Sequence, residues 1–323
     1  MKAIACSGYG PPEVLNVVEL PKPAPRNNEV LIRIRASTVT MGDCELRGLK
    51  LPRWTRIPMR LYLGYSKPIR WIPGMEFAGV VETVGNGVTK FKPGDPVFGS
   101  AGMSMGGNAE YKCLPEHAAI AVKPRDISFE EAASIPVGGL NALHFLRKAK
   151  VRPGDKVLVI GAGGSIGSFA VQLAKFFGAE VTAIDTTTKV EMLRNIGADH
   201  VIDFTKTDFT TSQERFDLIF DMVYNSNFNA CINTLKENGR YILANPSPSR
   251  MVRGWWISAT TGKTVIFELA GEKVEDLEFL ADLVASKKIR SIVDRCYALE
   301  QIIQAHAYVD SGSKKGSVVV TVS

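Results

Sequence analysis

The clearest chemical signal in this chain is the stretch Lys156-Val157-Leu158-Val159-Ile160-Gly161-Ala162-Gly163-Gly164-Ser165-Ile166-Gly167. A short apolar run ends in a glycine cluster, and a helix-like pattern starts at once. Val157–Ile160 reads as a buried parallel strand. Phe169, Ala170, Leu173, Ala174 and Phe177 then recur at helical spacing, and Gly178 stops the helix. Glycines let the backbone turn tightly and bring its N–H groups close to a ligand. The positive end of the new helix suits a pyrophosphate. A second apolar strand, Glu180–Ile184, ends at Asp185, which lies 18 residues beyond Gly167. A carboxylate there is placed to accept from ribose hydroxyls. Strand, glycines, helix, strand and acid in this order point to a dinucleotide site.

The elements that must hold this site are legible on both sides of it. Up to about residue 120 the chain reads as short β-branched runs with Gly/Pro punctuation. Val14–Leu20, Val30–Ala36, Phe77–Val84 and Pro96–Gly99 suggest a compact, barrel-like β domain. Ser128-Phe129-Glu130-Glu131 looks like a helix capping signal, and a longer helix is expected over Gly139–Lys148. Strands and helices then alternate. The strands are Val157–Ile160, Val181–Ile184, His200–Ile202, Leu218–Asp221, Tyr241–Ala244 and Thr264–Phe267, enough for a complete doubly wound sheet. Helices over Val274–Ala285 and Leu299–Asp310 lead to Ser317–Val322, a strand with no partner nearby in sequence. Its return to the N-terminal domain would make that domain discontinuous. The expected division is 1–125 with 271–323 for the β domain, and 126–270 for the nucleotide-binding domain.

The 323 residues are 45% hydrophobic and 22% charged, a globular balance. No apolar h-region opens the chain and no window approaches a membrane span, so a cytoplasmic protein without a membrane partner is expected. Cys6, Cys44, Cys113, Cys231 and Cys296 are scattered and odd in number, which suits reduced thiols. The net charge is +6. Between Leu46 and Met75 stand Arg47, Lys50, Arg53, Arg56, Arg60, Lys67 and Arg70 with no acid, interleaved with Trp54, Tyr62, Tyr65 and Trp71. This segment reads as a solvated flap, as a rim for an anionic cofactor or substrate, or as a nucleic-acid or membrane surface.

Several motifs together carry a resemblance. They are Ala36-Ser37-Thr38-Val39-Thr40-Met41-Gly42-Asp43, Pro73-Gly74-Met75-Glu76-Phe77-Ala78-Gly79, Phe91-Lys92-Pro93-Gly94-Asp95-Pro96-Val97-Phe98-Gly99, Gly107-Asn108-Ala109-Glu110-Tyr111, Gly161–Gly167, Gly197-Ala198-Asp199-His200-Val201-Ile202-Asp203 and Lys315-Gly316-Ser317. The chain resembles the medium-chain dehydrogenase/reductase superfamily, in its zinc-free quinone oxidoreductase-like (zeta-crystallin-like) branch. That resemblance implies an α/β chain: a Rossmann doubly wound parallel sheet plus a discontinuous GroES-like β-barrel domain, with nicotinamide and substrate in a cleft between them. It also implies a homodimer. Zinc enzymes of the superfamily bind catalytic metal at positions that look like Thr40, Met75 and Val137 here. Thr40 is a poor ligand, Met75 is soft and neutral, and Val137 has no donor, so no zinc is expected. The Gly99–Gly107 segment, where a structural zinc loop would be inserted, has no cysteine. His117, His144, His200 and His306 are isolated and read as surface or core residues.

Without a metal, reduction of a simple carbonyl lacks its Lewis acid. Hydride addition to a quinone or an α,β-unsaturated carbonyl spreads the charge over a conjugated system, which one or two hydrogen bonds can stabilise. The resemblance therefore implies an NADPH- or NADH-dependent reductase of a small apolar conjugated acceptor. Most of its rate would come from positioning. Thr40 lies nearest the reacting oxygen in the family and could donate to it, and Tyr65 could supply a phenol. Cofactor contacts are expected from Asn141, Gly161, Gly164, Ser165, Ile166, Gly167, Asp185, Thr186, Thr188, Lys189, Val223 and Lys315. Asn141 stands where relatives usually have threonine, Tyr224 where they have glycine, and Phe204 where they often have tyrosine. Asp185 would repel a 2′-phosphate, which leans the reading slightly to NADH, whereas the family leans to NADPH. Asp43 and Glu76 look like buried family carboxylates, and Thr264–Phe267 is a suitable edge strand for a dimer. Two other readings stay open: a zinc-independent alcohol or aldehyde dehydrogenase, and a nucleotide-retaining binding protein such as the lens and single-strand-binding relatives.

Overall fold

The computed structural model describes residues 1–51, 53–65, 68 and 72–322, except for the side chains of Arg53, Trp54 and Tyr62. The basic and aromatic positions Lys67, Arg70 and Trp71 thus lie outside the described residues. The chain divides into two compact units, 1–137 with 272–323, and 138–271.

In chain order the elements begin with β1 (Lys2–Cys6), β2 (Leu15–Glu19), β3 (Glu29–Val39), α1 (Met41–Gly48) and α2 (Arg53–Leu63). Next come β4 (Glu76–Val84), β5 (Pro96–Ser100), β6 (Tyr111–Pro115), β7 (Ile120–Val122), α3 (Phe129–Ala133) and α4 (Pro136–Lys148). The second unit adds β8 (Lys156–Ile160), α5 (Ser165–Phe176), β9 (Glu180–Asp185), α6 (Val190–Asn195), β10 (His200–Asp203), β11 (Phe216–Asp221), α7 (Phe228–Thr234), β12 (Leu235–Leu243), α8 (Pro248–Thr260) and β13 (Thr264–Ile266). The chain closes with α9 (Val274–Ala285), β14 (Val293–Ala298), α10 (Ile302–Asp310) and β15 (Ser317–Thr321).

The second unit is a six-stranded sheet in the order β10-β9-β8-β11-β12-β13 with every neighbour parallel. This is the doubly wound Rossmann order, with its switch point between β8 and β11. The middle strands are apolar without alternation because helices cover both faces. Val157, Leu158, Val159, Leu218, Ile219 and Phe220 have no exposed surface.

The first unit holds the GroES-like sheet in the order β14-β15-β3-β4-β5-β7, with β6 added on β3. The last strand returns to this sheet: β15 pairs antiparallel with β3 from Val318↔Val39 to Thr321↔Ala36. Its core joins Ile32, Ile34, Phe77, Val97, Val318 and Val320 to Ile302 and Val309 of α10.

Two elements differ from the sequence expectation in ways that matter for the site. β3 runs on past Ala36 through Ser37, Thr38 and Val39. The polar Ser37 and Thr38 do not end the strand, because β4 satisfies them: Ser37 Oγ donates to Glu76 O at 2.8 Å and Thr38 Oγ1 to Glu76 Oε1 at 2.5 Å. The basic segment expected as a flap contains α2, which accommodates Pro58 within the helix.

Candidate functional site

In the second unit, the turn after β8 is shaped by close approaches. Gly161 has φ +81, and a Cβ there would sit 3.2 Å from Val223 Cγ2. Gly167 packs so tightly on the turn that its Cβ would lie 2.4 Å from Gly161 O. α5 therefore starts directly under the loop. Its N-cap is Gly164, with no side-chain cap and no acid in the first turn. The positive end of the helix is left for an anionic ligand, a good fit for the pyrophosphate of a dinucleotide.

Asp185 ends β9 beside this turn, as expected, but its carboxylate points back into the protein. Oδ2 accepts Gly163 N–H at 2.7 Å, and Oδ1 accepts Thr186 N–H at 2.8 Å. Lys189, one helical turn on, places Nζ 3.1 Å from Oδ1. Both side chains are buried. This corrects the expectation of an open acid repelling a 2′-phosphate: the negative charge is paired and turned inward. The Thr186 and Thr188 hydroxyls stand 3.2 Å apart at the surface beside it. Thr187 donates to Asp203, whose carboxyl is held down to about 2 by the Thr187 and Thr205 hydroxyls.

After β11, Val223 N–H donates to Asp221 Oδ1 at 2.9 Å, which fixes the loop that faces Gly161. Tyr241 OH donates to Asp221 Oδ2 at 2.6 Å, and burial pushes the Asp221 carboxyl up. Tyr224 is a half-exposed surface residue, and Asn141 is half-buried on α4. The structure thus gathers Gly161, Gly164, Gly167, Asp185, Lys189 and Val223 around one turn. Lys315 belongs to the first unit, where its N–H donates to Asp294 Oδ2 at 2.9 Å.

The first unit carries a second constellation, built where β3 passes into α1. Thr40 is the N-cap of α1 in a reciprocal capping box. Its Oγ1 donates to Asp43 Oδ2 at 2.6 Å and accepts Asp43 N–H at 3.1 Å, while Thr40 N–H donates to Oδ2 at 2.9 Å. Asp43 Oδ1 accepts Gly74 N–H at 2.9 Å. Gly74 has φ +100, and a Cβ there would collide with Asn108 N at 2.6 Å, so only glycine brings that N–H to the acid. Asp43 is fully buried, and desolvation pushes its carboxyl up.

Glu76, at the start of β4, is also fully buried. Oε2 accepts Val137 N–H in the first turn of α4 at 2.7 Å, and Oε1 accepts from Thr38. Burial raises its carboxyl to about 7 against those two hydrogen bonds.

Two of the three positions expected for zinc lie together: Met75 Sδ is 3.8 Å from Thr40 Oγ1, while Val137 gives its N–H to Glu76, the residue after Met75. Their chemistry does not fit the metal: one hydroxyl already bonded to an acid, one thioether and one alkyl group do not make three anionic or imidazole donors. Among the described residues no cluster of three His, Cys, Asp or Glu could hold a metal ion. Tyr65 stands apart, 70% exposed with its ring 5.8 Å from the Arg60 guanidinium.

A buried group that sequence reasoning missed ties α1 to α10. Arg47 has no exposed surface, yet Nη1 donates to His306 Nδ1 at 2.8 Å and Nη2 to Asp310 Oδ2 at 2.5 Å. Cys44 Sγ is 3.4 Å from the same ring nitrogen. Burial and the Arg47 charge pull His306 down to about 3. The role of Thr40, by contrast, had a local signal, because Thr-x-x-Asp is a capping pattern.

Comparison with known proteins supports the same fold. Residues 26–124 match the family described as alcohol dehydrogenase GroES-like domain, and residues 196–320 match zinc-binding dehydrogenase. The chain is 30% identical to the chloroplast envelope quinone oxidoreductase homolog of Arabidopsis thaliana, over 99% of this chain and 98% of that protein. It is 27% identical to the chloroplastic NADPH-dependent alkenal/one oxidoreductase of the same plant, over 99% of this chain and 79% of that protein. Among solved structures, the quinone oxidoreductase from Coxiella burnetii superposes with a TM-score of 0.90 at 29% identity, covering 100% of this chain and 99% of that one.

Proposed function

Because the chain belongs to the medium-chain dehydrogenase/reductase superfamily, among its quinone oxidoreductase-like proteins, we propose that it transfers hydride from NADPH to a quinone or an α,β-unsaturated carbonyl without a metal. The observation that carries this reading is the Thr40–Met75–Val137 set. The position that grips a carbonyl oxygen through zinc in related enzymes offers here only a hydroxyl on a buried acid. Such a site suits an acceptor whose own π-system spreads the incoming charge.

NADPH supplies the hydride when bound. Gly161, Gly164, Ser165, Ile166 and Gly167 would hold its pyrophosphate at the start of α5. Lys189, Thr186 and Thr188 would meet the ribose end. Pairing of Asp185 with Lys189 removes the ground for preferring NADH and supports NADPH. Val223, Asn141 and Lys315 are assigned to the remaining cofactor contacts. Tyr65, exposed just past α2, is assigned to the acceptor.

Thr40 and Asp43 handle the proton. Burial shifts Asp43 toward its protonated form. In that form the Thr40–Asp43 hydrogen bond reverses: Oδ2–H donates to Thr40 Oγ1, and the Thr40 hydrogen is freed to turn outward to the acceptor oxygen. As charge builds on that oxygen after hydride addition, Thr40 releases its proton and takes the one from Oδ2. A solvent proton then returns to Asp43 through the Thr40 hydroxyl, since the acid itself has no exposed surface. Glu76 holds Val137 N–H at the start of the helix that carries Asn141.

The edge position of β13 supports a homodimer, and five cysteines with no disulfide suit a reducing cytoplasmic compartment. Steady-state assays with NADPH and a quinone, an enal and a simple ketone test the reading. Turnover of the quinone or enal is expected. Turnover of the ketone alone would replace it with an alcohol dehydrogenase reaction.

A further inference from the structure

The proposed reaction gives the basic residues of Leu46–Met75 no task, although the segment holds seven arginines and lysines and no acid. Its helix, α2, turns apolar stripes in two opposite directions. Met59 and Leu63, four residues apart, face the core of the first unit. Ile57 and Leu61, also four apart, face solvent and are 67% and 72% exposed. Residues two apart on a helix point to roughly opposite sides, at about 100° per residue, so one stripe is used by the fold and the other is not. Arg56 and Arg60 form a row between them.

Beside that row lies an open depression of about 580 Å³, framed by Gly48, Leu49 and Lys50 after α1 and by Arg56, Ile57 and Arg60 of α2. Three of its six lining residues are cationic. The acids near it are already engaged. Asp310 is shared between Arg47 and Lys50, at 2.5 and 3.5 Å. Burial pushes the Glu45 carboxyl up toward its neutral form. Arg56 Nε donates to Leu51 O at 2.9 Å, which anchors the helix start and leaves the rest of the guanidinium at the rim.

We propose that this face of α2 docks on an anionic phospholipid bilayer. Ile57 and Leu61 would enter the boundary between headgroups and acyl chains, while Lys50, Arg56 and Arg60 meet lipid phosphates at the depression. A second copy of this chain is a poor occupant, because two such faces would oppose cation to cation. A nucleic acid would satisfy the arginines but offers nothing to an aliphatic pair. A bilayer supplies both phosphate and hydrocarbon. This is contact at a surface and needs no spanning helix; no helix among the described residues is long and apolar enough to cross a membrane. The physiological sense rests on the quinone reading, since lipid-soluble quinones collect in bilayers and an enzyme resting there would meet them. The docking itself does not depend on it.

The test is co-sedimentation of the full chain with vesicles of phosphatidylcholine, with and without about 30% phosphatidylglycerol, at low and high salt. Binding at least about tenfold stronger to the anionic vesicles, and lost at high salt, is expected. Ile57→Glu with Leu61→Glu, and separately Lys50→Glu with Arg56→Glu, should each reduce it about tenfold. Reduction of a short-chain, water-soluble quinone should stay within about twofold in both variants, which also reports that they fold. Equal binding to neutral vesicles, or unchanged binding by either variant, would overturn the proposal. Salt-sensitive capture of a labelled single-stranded DNA with no vesicle binding would assign the face to nucleic acid. Vesicle binding without quinone turnover would sink the proposed reaction and leave the docking standing.

Discussion

Lys189 and Asp185 form an ion pair at 3.1 Å beside the phosphate-binding turn, four residues apart and both almost fully buried. A lone acid at the end of β9 would select against a 2′-phosphate. On the proposed reading the same acid, paired with a lysine and bonded to Gly163 N–H, would not. The lysine would then have two tasks: to compensate the acid, and to present a cation toward the ribose end of the cofactor.

Lys189→Met separates these tasks from general binding. It should raise the KM for NADPH by about tenfold or more while changing kcat/KM for NADH by less than about threefold. It should also cost roughly 3 kcal/mol of stability, because Asp185 is left buried without its partner. Adding Asp185→Asn should recover much of that stability and little of the NADPH affinity. Parallel losses for both cofactors in Lys189→Met would show that the lysine only supports the fold.

Thr40→Val tests the hydroxyl on Asp43. Loss of the cap should cost about 1 kcal/mol, read as a lower midpoint in urea. Loss of the proton path should lower kcat about tenfold with KM for the quinone little changed. Thr40→Ser keeps the oxygen in place and should restore both. A valine variant with full kcat would reduce Thr40 to a helix cap.

How much of this was legible follows the range of each interaction. The run from Val157 to Asp185 could be read directly because its signals are local: a strand, glycines that only fit a tight turn, and a helix at its own period. Thr40 was local too, but its polar neighbours Ser37 and Thr38 hid the fact that β3 continues to its door. β14 and the early start of β12 at Leu235 gave no periodic signal, since polar residues interrupt both. The buried acids and bases are long-range pairs. Glu76 meets Val137 across 61 residues, and Arg47 meets His306 across 259. No spacing announces such partners, so whether a carboxylate is buried, and what it holds, becomes visible only in the folded chain.

Chelation gives the simplest check on the donor set at Thr40, Met75 and Val137. Dialysis against a strong chelator should leave kcat for the quinone unchanged within about 20%, and metal analysis should find well under about 0.1 zinc per chain. Activity lost on chelation and restored by zinc would place a metal in the reaction despite these side chains.

Glu76 and His306 make the stability depend on pH from opposite sides. Burial raises the folded Glu76 from its ordinary 4.5 to about 7, so the folded chain holds a proton that the unfolded chain has released. Its contribution is complete below about pH 4.5 and is lost as pH rises to about 7, on the order of 3 to 4 kcal/mol at about 1.4 per unit. His306 is drawn from 6.5 to about 3, so its contribution is complete above about pH 6.5 and is lost as pH falls toward 3. The two windows overlap, so between about pH 4.5 and 6.5 the opposing slopes largely cancel and the pair contributes most there. Glu76→Gln should remove the fall between about pH 4.5 and 7, leaving stability that rises with pH up to about 6.5, without unmaking the site: its amide oxygen can take Val137 N–H, and its NH2 can donate to the Thr38 hydroxyl in place of accepting from it. His306→Asn keeps an acceptor for Arg47 and should remove the loss between about pH 6.5 and 3, so that stability falls steadily from about pH 4.5 to 7. Urea unfolding across that range reads both, and a Glu76→Gln curve parallel to the parent would mean that the acid is ionised throughout and that burial does not control it.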